Sequence, residues 1–430
     1  MNPPGSRNGL DDWLRWLETL SPNEIDLGLE RVTEVLDRLE LARPGRVITV
    51  AGTNGKGSTV VMIEALLSAA GENVASYTSP HIHEFNERIR SNGTAASDED
   101  IVTAFQRVEA ARQDAALTYF EFGTLAALVY FDSVRPDTVI LEVGLGGRLD
   151  AVNVVDPDAC LITNVTLDHC DWLGDDVETI AAEKAGIMRG DTAVVFGSSQ
   201  LPVAISNAAI KTGADLIVAG RDFRIIETDD GLWNWSGRDE SVDGLNAPSL
   251  EGRHQLQNAS AVLALVESLG MRSLLNAEII NRAFAMLNLP GRLQQIARSD
   301  RRYVVDVAHN VDSARVLAEF ISHLNDIDRV IAVIGVQRGK DLQGMIGALA
   351  PVVNHWIACD AASGNARPAD ELAQEVVAYT GKPCLVANTV DAALEAARES
   401  AKKTDLIVVT GSFYTVGPAL LRLNDFRCAH

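Results

Sequence analysis

A glycine-rich turn between a predicted strand and a predicted helix constrains the fold of this chain more than any other feature. The apolar run RVITVAG at 46–52 predicts a buried strand, and the turn TNGKGS at 53–58 follows it. The next segment, STVVMIEALLSAA, has the apolar spacing of a helix, which we expect to end at Gly71. Glycines let backbone N–H groups approach an anion, and the amino end of a helix favours negative charge. The order strand, turn, helix therefore predicts one unit of an α/β sheet that carries a phosphate-binding loop.

The loop itself supplies the first candidate binding residues. Those that we expect to hold the phosphates of a nucleotide are Thr53, Asn54, Gly55, Lys56, Gly57 and Ser58. Lys56 is expected to reach the terminal phosphates. The strict Walker pattern is not met, because Val50 stands at the position of its first glycine and Gly57 follows the lysine where Ser or Thr is expected. A plain glycine turn without a ligand is the alternative interpretation.

Short runs rich in Val, Ile and Leu, separated by helical segments, continue along the whole chain. They lie at 73–79, 137–144, 158–165, 191–197, 303–308, 329–336, 355–360, 383–388 and 405–411. This alternation predicts mainly parallel sheets. Turn signals at 215–250 favour a small antiparallel insertion, and the Pro290-Gly291 pair marks a boundary. We therefore predict an α/β protein with two doubly wound domains, a P-loop ATPase-like domain at 1–295 and a smaller, Rossmann-like domain at 296–430.

Charge and cysteine content narrow the classes of partner. The formal net charge is −22, from 37 Lys and Arg against 59 Asp and Glu, which opposes binding to nucleic acid or an anionic membrane. The N-terminal residues lack a basic start followed by an apolar run, and no later stretch has the length of a membrane span free of charge, so we expect neither secretion nor membrane insertion. The cysteines are odd in number and have no CxxC spacing, which favours the reducing cytoplasm: Cys160, Cys170, Cys359, Cys384 and Cys428. A cytoplasmic monomer is expected.

Three polar residues follow predicted strands. Ser79, Glu142 and His169 place a hydroxyl, a carboxylate and an imidazole at strand ends, where open α/β sheets carry functional groups. Together they predict a Mg²⁺ site, although histidine is an unusual ligand for that ion. A turn cap, a solvated carboxylate and a packed histidine are the alternatives.

Motifs along the whole chain resemble one enzyme family. VAGTNGKGST is similar to the loop of the Mur ligase superfamily, whose folate branch has glycine after the lysine. The motifs similar to the folylpolyglutamate synthase/dihydrofolate synthase family are TSPHIHEFNERI, LTYFEFGTLAAL, ILEVGLGGRLDAVN, LDHCDWLG, EKAGI, LPGRLQ, DVAHN and GSFYTVG. They occur from about residue 10 to 420, in the family's order. By this resemblance the chain is identified as a member of the folate branch.

The resemblance implies roles for individual residues. Ser79, Glu142 and His169 match the family's metal-binding positions, and Lys184 matches a lysine that is carboxylated by CO₂. On composition alone Lys184 is a surface residue. Positions that match nucleotide contacts are Asn258, Arg292 and Asp306, with His309 adjacent, and positions that match dihydropteroate-binding segments are Thr118, Tyr119, Phe120, Glu121, Leu149, Asp150 and Ala151. Lys56, Lys184, His169 and Arg292 form the expected catalytic set. Taken singly, Asn258 and Arg292 have structural interpretations, and Tyr119 and Phe120 suit an ordinary core.

The implied function is ATP-dependent ligation of L-glutamate to dihydropteroate and to folates, with one or two Mg²⁺ ions and an acyl-phosphate intermediate. A Mur-type ligase for a UDP-linked peptidoglycan precursor and a non-catalytic, ATP-controlled switch are the alternatives. One departure from the family lies at Gly339, where an acidic residue is expected, so no role is carried over to Lys340 or Asp341. Cys170 also replaces the residue expected after the histidine.

Overall fold

The computed structural model describes residues 3–5, 8–21, 25–229, 231–298 and 300–425. Cys428 therefore lies outside the described residues. The chain divides into two compact units. Unit 1 contains the chain through Val165 together with Asp175–Ser249 and Gln255–Leu287, and unit 2 contains Thr166–Gly174, Leu250–His254 and the chain from Asn288.

In the described part of unit 1, eight strands form one sheet. They are β1 Arg46–Ala51, β2 Val74–Tyr77, β3 Ile89–Ser91, β4 Thr94–Ala95, β5 Thr138–Glu142, β6 Ala159–Ile162, β7 Ala193–Phe196 and β8 Asp215–Val218. Their order across the sheet is β4-β3-β2-β5-β1-β6-β7-β8. Pairing is parallel except for the β2–β3 and β3–β4 pairs. The predicted mainly parallel sheet is thus present, while β3, β4 and β8 were not predicted individually.

The register of the central strands gathers their carboxyl ends at one edge. Val50 of β1 pairs with Glu142 of β5, and Tyr77 of β2 pairs with Leu141 of β5. Residues that follow these strands, such as Gly52 and Ser79, therefore emerge close to Glu142. In open parallel sheets, this edge is where ligands bind.

Helices flank the sheet of unit 1. The α-helices are Leu10–Leu17, Glu30–Leu39, Lys56–Ala69, Asp98–Arg112, Tyr119–Val134, Val177–Ala185, Val203–Thr212, His254–Ser268 and Ala277–Ala285, and the 3₁₀ helices are Phe85–Arg88, Ala151–Val154 and Arg272–Leu274. An aromatic cluster holds the first helix to the core, because Trp13 packs on Phe105 and Trp16 on Phe122, with ring centroids 5.9 Å apart in both pairs.

The predicted antiparallel insertion is a small separate sheet of unit 1. It consists of β9 Arg224–Glu227, β10 Trp233–Ser236 and β11 Ser241–Leu245, with β10 in the centre. Trp233 and Trp235 of β10 are both buried, as expected for alternate residues on one face of a strand. Trp235 Nε1 donates to the carbonyl of Ser260, 3.1 Å away, and so joins this sheet to helix His254–Ser268.

Unit 2 contains a second sheet. Its described strands are β12 Gln294–Arg298, β13 Arg301–Val305, β14 Val330–Ile334, β15 His355–Cys359, β16 Cys384–Ala387 and β17 Leu406–Thr410, in the order β12-β13-β17-β14-β15-β16. Only β12 is antiparallel to its neighbour. The helices are Cys170–Leu173, Val311–Ser322, Leu342–Leu349, Ala369–Thr380, Val390–Ser400 and Phe413–Asp425.

The predicted α/β class is confirmed, and each strand run predicted at 303–411 overlaps an observed strand of unit 2. Strand β12 was not predicted, because its sequence QQIAR carries a weak apolar signal. The domain boundary at 295/296 stays a prediction. Among the described helices, none is long and apolar enough to cross a membrane.

The buried position of Trp235 yields a stability prediction. Replacing Trp235 with alanine should lower the free energy of unfolding by about 3–5 kcal/mol, because the change removes a buried aromatic ring and leaves a cavity. Urea unfolding of the purified chain, followed by circular dichroism, measures the change. Ser236→Ala, on the half-buried side of the same strand, should shift the transition far less. Equal shifts in both variants would contradict the packing role of Trp235.

Candidate active site

The glycine-rich turn adopts a conformation that glycine alone tolerates at two positions. Gly52 has φ of 143° and Gly55 has φ of 86°, both in the region that L side chains rarely adopt. A Cβ atom added to Gly52 would lie 1.8 Å from Thr163 Oγ1, and one added to Gly55 would lie 2.9 Å from Asn258 Oδ1. The two glycines are therefore required by close neighbours as well as by backbone conformation.

The carbonyl oxygen of Gly52 accepts hydrogen bonds from two lysine ammonium groups. Lys56 Nζ lies 3.1 Å from it and 3.1 Å from the carbonyl oxygen of Thr53. Lys184 Nζ lies 3.0 Å from the same Gly52 oxygen. Lys184 is only 4% exposed, so the surface position inferred from composition alone is wrong. Two predicted catalytic lysines thus meet at the glycine-rich turn, and their catalytic role stays a prediction.

Neighbouring segments hold the turn in place. Asn164 accepts from the backbone N–H of Thr53 through its carbonyl and from that of Asn54 through its side chain, both at 3.0 Å. Thr163 Oγ1 donates to the Asn54 carbonyl at 2.6 Å. On the other side, Asn258 donates to Gln255, which in turn contacts Ser58 Oγ at 3.3 Å. Asn258, a predicted nucleotide contact, therefore lies beside the turn.

Helix Val177–Ala185 carries Lys184 and packs against the loop at 144–150. The backbone N–H of Arg148 donates to the Glu183 carbonyl at 2.8 Å. A Cβ atom on Gly147 would lie 3.0 Å from Lys184 Cα, and one on Gly186 would lie 2.3 Å from Arg148 Cβ. These close approaches fix the backbone position of Lys184. From there its side chain places the ammonium group at the Gly52 carbonyl.

Glu142 and Ser79 lie together in unit 1, at the carboxyl edge of the sheet. Glu142 is 4% exposed, and its Oε2 accepts from the backbone N–H of Ser79 at 3.1 Å. Such a carboxylate suits a hard divalent cation. His169 belongs to unit 2, so the structure does not test the three-residue set. Among the described residues, no group of three or more His, Cys, Asp and Glu side chains is placed to hold a metal ion.

Asp150 is buried and organises its own loop. Its carboxylate accepts from the backbone N–H of Leu145 at 2.8 Å and of Val152 at 3.1 Å. Burial raises the pKa of Asp150 to about 6, although the backbone hydrogen bonds and the charge of Lys56 act in the opposite direction. Leu149 is half-buried and Ala151 is buried. Contact of these residues with a substrate stays a prediction.

Thr118 and Glu121 begin helix Tyr119–Val134 with a capping box. Glu121 N donates to Thr118 Oγ1 at 3.3 Å, and Thr118 N donates to Glu121 Oε2 at 2.7 Å. The other oxygen of Glu121 accepts from Arg31 at 2.9 Å. Arg31 lies in the segment IDLGLERV, so the capping box also ties down the N-terminal region. The role of Thr118 and Glu121 in substrate binding stays a prediction.

Tyr119 and Phe120 are half-buried rather than fully enclosed in the core. The guanidinium carbon of Arg88 lies 5.6 Å from the Tyr119 ring centroid, and Arg88 Nε donates to His81 Nδ1 at 2.8 Å. Burial and the charge of Arg88 lower the pKa of His81 to about 4, so His81 accepts as a neutral ring. Sequence analysis had not singled out Arg88, a cation beside the predicted aromatic segment.

In unit 2, Asp306 follows β13 and holds the turn after Arg292. Its two oxygens accept from the backbone N–H groups of Leu293 and Ala308, each at 2.8 Å. Burial raises the pKa of Asp306, with the Leu293 hydrogen bond and the charge of Arg292 acting against it. The guanidinium carbon of Arg292 lies 5.0 Å from the Phe413 ring centroid. The predicted nucleotide contacts Arg292 and Asp306 are therefore neighbours in unit 2.

A polar cluster that sequence analysis missed surrounds Asp168 in unit 2. Lys340 Nζ lies 2.6 Å from Asp168 Oδ1, and His309 Nε2 lies 3.3 Å from Oδ2. Burial would raise the pKa of Asp168, but the hydrogen bond from His309 and the charges of His309, Lys340 and His169 lower it well below its usual range. The available signal was an acidic residue directly before the predicted metal-binding histidine.

Comparisons with known proteins bear on the chemistry of these clusters. A family profile described as the Mur ligase middle domain matches residues 50–266, and one described as the Mur ligase glutamate ligase domain matches residues 291–413. The Escherichia coli dihydrofolate synthase/folylpolyglutamate synthase is 40% identical over 414 residues, which cover 96% of this chain and 95% of that protein. The chain belongs to the dihydrofolate synthase/folylpolyglutamate synthase family of Mur ligases.

Solved structures of this family share the fold. Escherichia coli FolC in complex with DHPP and ADP has a TM-score of 0.92 and 37% identity, covering 99% of this chain and 100% of that one. A bifunctional folylpolyglutamate synthase/dihydrofolate synthase with Mn, AMPPNP and L-glutamate bound has a TM-score of 0.90 and 37% identity, covering 98% and 100%. The predicted family and the predicted two-domain α/β fold are confirmed.

The close neighbours of Gly52 lead to a prediction about ATP binding by this family member. Gly52→Ala should raise the Kd for ATP about tenfold, which corresponds to about 1.4 kcal/mol of binding free energy, because a Cβ atom 1.8 Å from Thr163 Oγ1 would force the turn to shift. Titration calorimetry on the purified variant measures this. Gly71→Ala is the matched control, because Gly71 also has positive φ but a Cβ there meets nothing within 4 Å. Unchanged ATP affinity in Gly52→Ala would contradict the role assigned to the turn.

Proposed function

We propose that this chain catalyses ATP-dependent addition of L-glutamate to dihydropteroate, forming dihydrofolate, and to folates, forming polyglutamates. The observation that carries the proposal is the meeting of Lys56 and Lys184 at the Gly52 carbonyl of a phosphate-binding turn, in a member of this ligase family. Relatives that bind ADP, AMPPNP and L-glutamate support the identity of the substrates.

The first step transfers the γ-phosphoryl group of ATP to a carboxylate oxygen of the pteroate or folate. The bond between the β,γ-bridging oxygen and the γ-phosphorus breaks, a new P–O bond forms, and ADP leaves. The loop N–H groups and Lys56 are proposed to hold the phosphates and to stabilise the charge that spreads over their oxygens. Arg292, Asp306, His309 and Asn258 are proposed nucleotide contacts.

The second step forms the amide bond. The uncharged amine of glutamate attacks the acyl carbon, and the tetrahedral intermediate expels phosphate, while the amine loses a proton. Because water would hydrolyse the acyl phosphate, the site must exclude it during this step. The half-buried rings of Tyr119 and Phe120, with Glu121, Leu149, Asp150 and Ala151, are proposed to line the pterin-binding region.

A divalent cation is part of the proposal. Relatives solved with Mn support one, and the buried carboxylate of Glu142 beside Ser79 fits a hard ion. Ser79, Glu142 and His169 would hold Mg²⁺, which supplies charge neutralisation at the phosphates. A second ion and carboxylation of Lys184 are further parts of the proposal. The cytoplasmic location and the monomeric state also stay predictions.

The peptidoglycan alternative is not favoured, because relatives across the full length are named for folate substrates.

An assay of the purified chain distinguishes a ligase from a non-catalytic, ATP-controlled switch. Phosphate release with Mg²⁺ and ATP should require both L-glutamate and either dihydropteroate or a folate, and mass spectrometry should find the glutamylated product. ATP turnover at the same rate with and without L-glutamate and the pteroate or folate acceptor would overturn the ligase function.

Lys56→Ala should lower kcat for both reactions roughly 100-fold or more, because a preorganised charge at developing negative charge is lost. The same phosphate-release assay measures it. Lys211→Ala is the matched control, since Lys211 is an exposed lysine on helix Val203–Thr212. The phosphate-binding role of Lys56 fails if both variants keep wild-type kcat.

Lys184 is predicted to carry a carbamate formed with CO₂. Carbon-13 NMR of protein equilibrated with labelled bicarbonate should show a carbamate resonance that Lys184→Ala lacks. The variant should lose ligation and recover part of it with short carboxylic acids, which restore a negative group near the cation. Absence of the resonance in active wild-type enzyme would contradict carboxylation, whatever the variant's activity.

A further inference from the structure

The segment Thr166–Gly174 lies in the chain between two parts of unit 1, yet it packs as part of unit 2. It carries His169, the predicted metal ligand, which precedes the short helix Cys170–Leu173 with φ of 52°. A histidine in the left-handed region is uncommon, so contacts of the segment must hold it there. Those contacts determine where the imidazole is presented.

The side chain of Asp168 makes several of these contacts. It is only 8% exposed. Its Oδ1 accepts from Lys340 Nζ at 2.6 Å and from the backbone N–H of His169 at 2.8 Å. Its Oδ2 accepts from Asn310 Nδ2 at 3.1 Å and lies 3.3 Å from His309 Nε2. One carboxylate therefore joins the His169 segment to two other segments of unit 2.

The partners of Asp168 are themselves fixed. His309 Nδ1 lies 2.9 Å from the Val307 carbonyl, which can only accept, so that nitrogen carries a proton and the ring turns Nε2 toward Asp168. Lys340 is nearly buried, with 10% of its side chain exposed, and its Nζ also lies 3.3 Å from His169 Nε2. Without the carboxylate, cationic and imidazole groups would face one another in a buried space.

We propose that Asp168 is a positioning residue for ligation: its buried carboxylate anchors the His169 segment and orients Lys340 and His309. The proposal rests on the proposed function, because these groups matter to catalysis only if the chain is a ligase. It extends to Lys340, to which the sequence resemblance assigned no role, since the ammonium group is held within reach of His169.

The contacts require a carboxylate rather than any polar group of the same shape. Lys340, Asn310 and the His169 backbone each donate to Asp168. An asparagine keeps one acceptor and turns the other oxygen into a donor, which would then oppose a donor. Asp168→Asn should therefore weaken the attachment of the Thr166–Gly174 segment, while the volume of the side chain at position 168 stays nearly the same. Lys340→Met is a second variant, which leaves the carboxylate with its other donors.

Asp405→Asn is the matched control. Asp405 is also a buried aspartate of unit 2 that accepts from a cation and a backbone N–H, namely Arg329 and Lys402. It precedes β17, at the amino end of that strand. The control therefore loses a comparable buried ion pair without touching the His169 segment.

Hydrogen exchange of the ligand-free protein, read by mass spectrometry, tests the anchor independently of activity. Peptides covering 166–174 should exchange faster in Asp168→Asn and in Lys340→Met than in wild type, and at the wild-type rate in Asp405→Asn. Unchanged exchange in Asp168→Asn would overturn the proposal, including when the variant folds and binds ATP normally.

Kinetics test the functional part. If the wild-type enzyme is confirmed to catalyse ligation, the Asp168→Asn variant should have a kcat about 10- to 100-fold lower and should need a higher Mg²⁺ concentration for half-maximal activity. Asp405→Asn should change none of these. Equal kcat in Asp168→Asn and the control would overturn positioning. If wild type shows no ligation, the proposed function fails, and the exchange experiment still decides whether Asp168 anchors the segment.

Discussion

The hydrogen bonds from Lys56 and Lys184 to one carbonyl oxygen, that of Gly52, set the arrangement of the site in unit 1. The oxygen can accept both because a carbonyl oxygen has two lone pairs. Gly52 itself adopts a backbone conformation that leaves no room for a side chain against Thr163. One lysine starts the helix after the turn, whereas the other comes from a helix about 130 residues later. The turn thus holds two lysine side chains that are remote from each other in sequence.

Backbone N–H groups hold the buried carboxylates in position in a similar way. Glu142 accepts from Ser79, Asp150 from Leu145 and Val152, and Asp306 from Leu293 and Ala308. Each carboxylate is thereby fixed by a neighbouring loop, and each loop is fixed by the carboxylate. Such mutual fixing keeps charged groups in place before substrates arrive, which is what electrostatic stabilisation of a developing charge requires.

The fold alone would not have assigned the chemistry, since doubly wound α/β sheets serve many functions. Three features together narrow the possible chemistry. They are a glycine-rich turn between a strand and a helix, a second, buried lysine at that turn, and family membership over nearly the whole chain. Asp168 shows that residues outside the predicted site residues also shape the clusters. It lies in a segment that belongs to unit 2 although its chain neighbours belong to unit 1.

The sequence by itself determined the class of fold, most of the parallel strands of both sheets and the turn around Lys56, because periodicity and glycine placement are local signals. It also indicated the family, through motifs in a fixed order. Tertiary structure decided that Lys184 is buried at Gly52 and that Asp168 contacts both Lys340 and His309. These contacts join residues up to 172 positions apart, and which donor meets which acceptor depends on how helices and loops pack on the sheets. Local sequence carries no signal for such pairings, because the free energy that selects them arises only when buried polar groups must find partners.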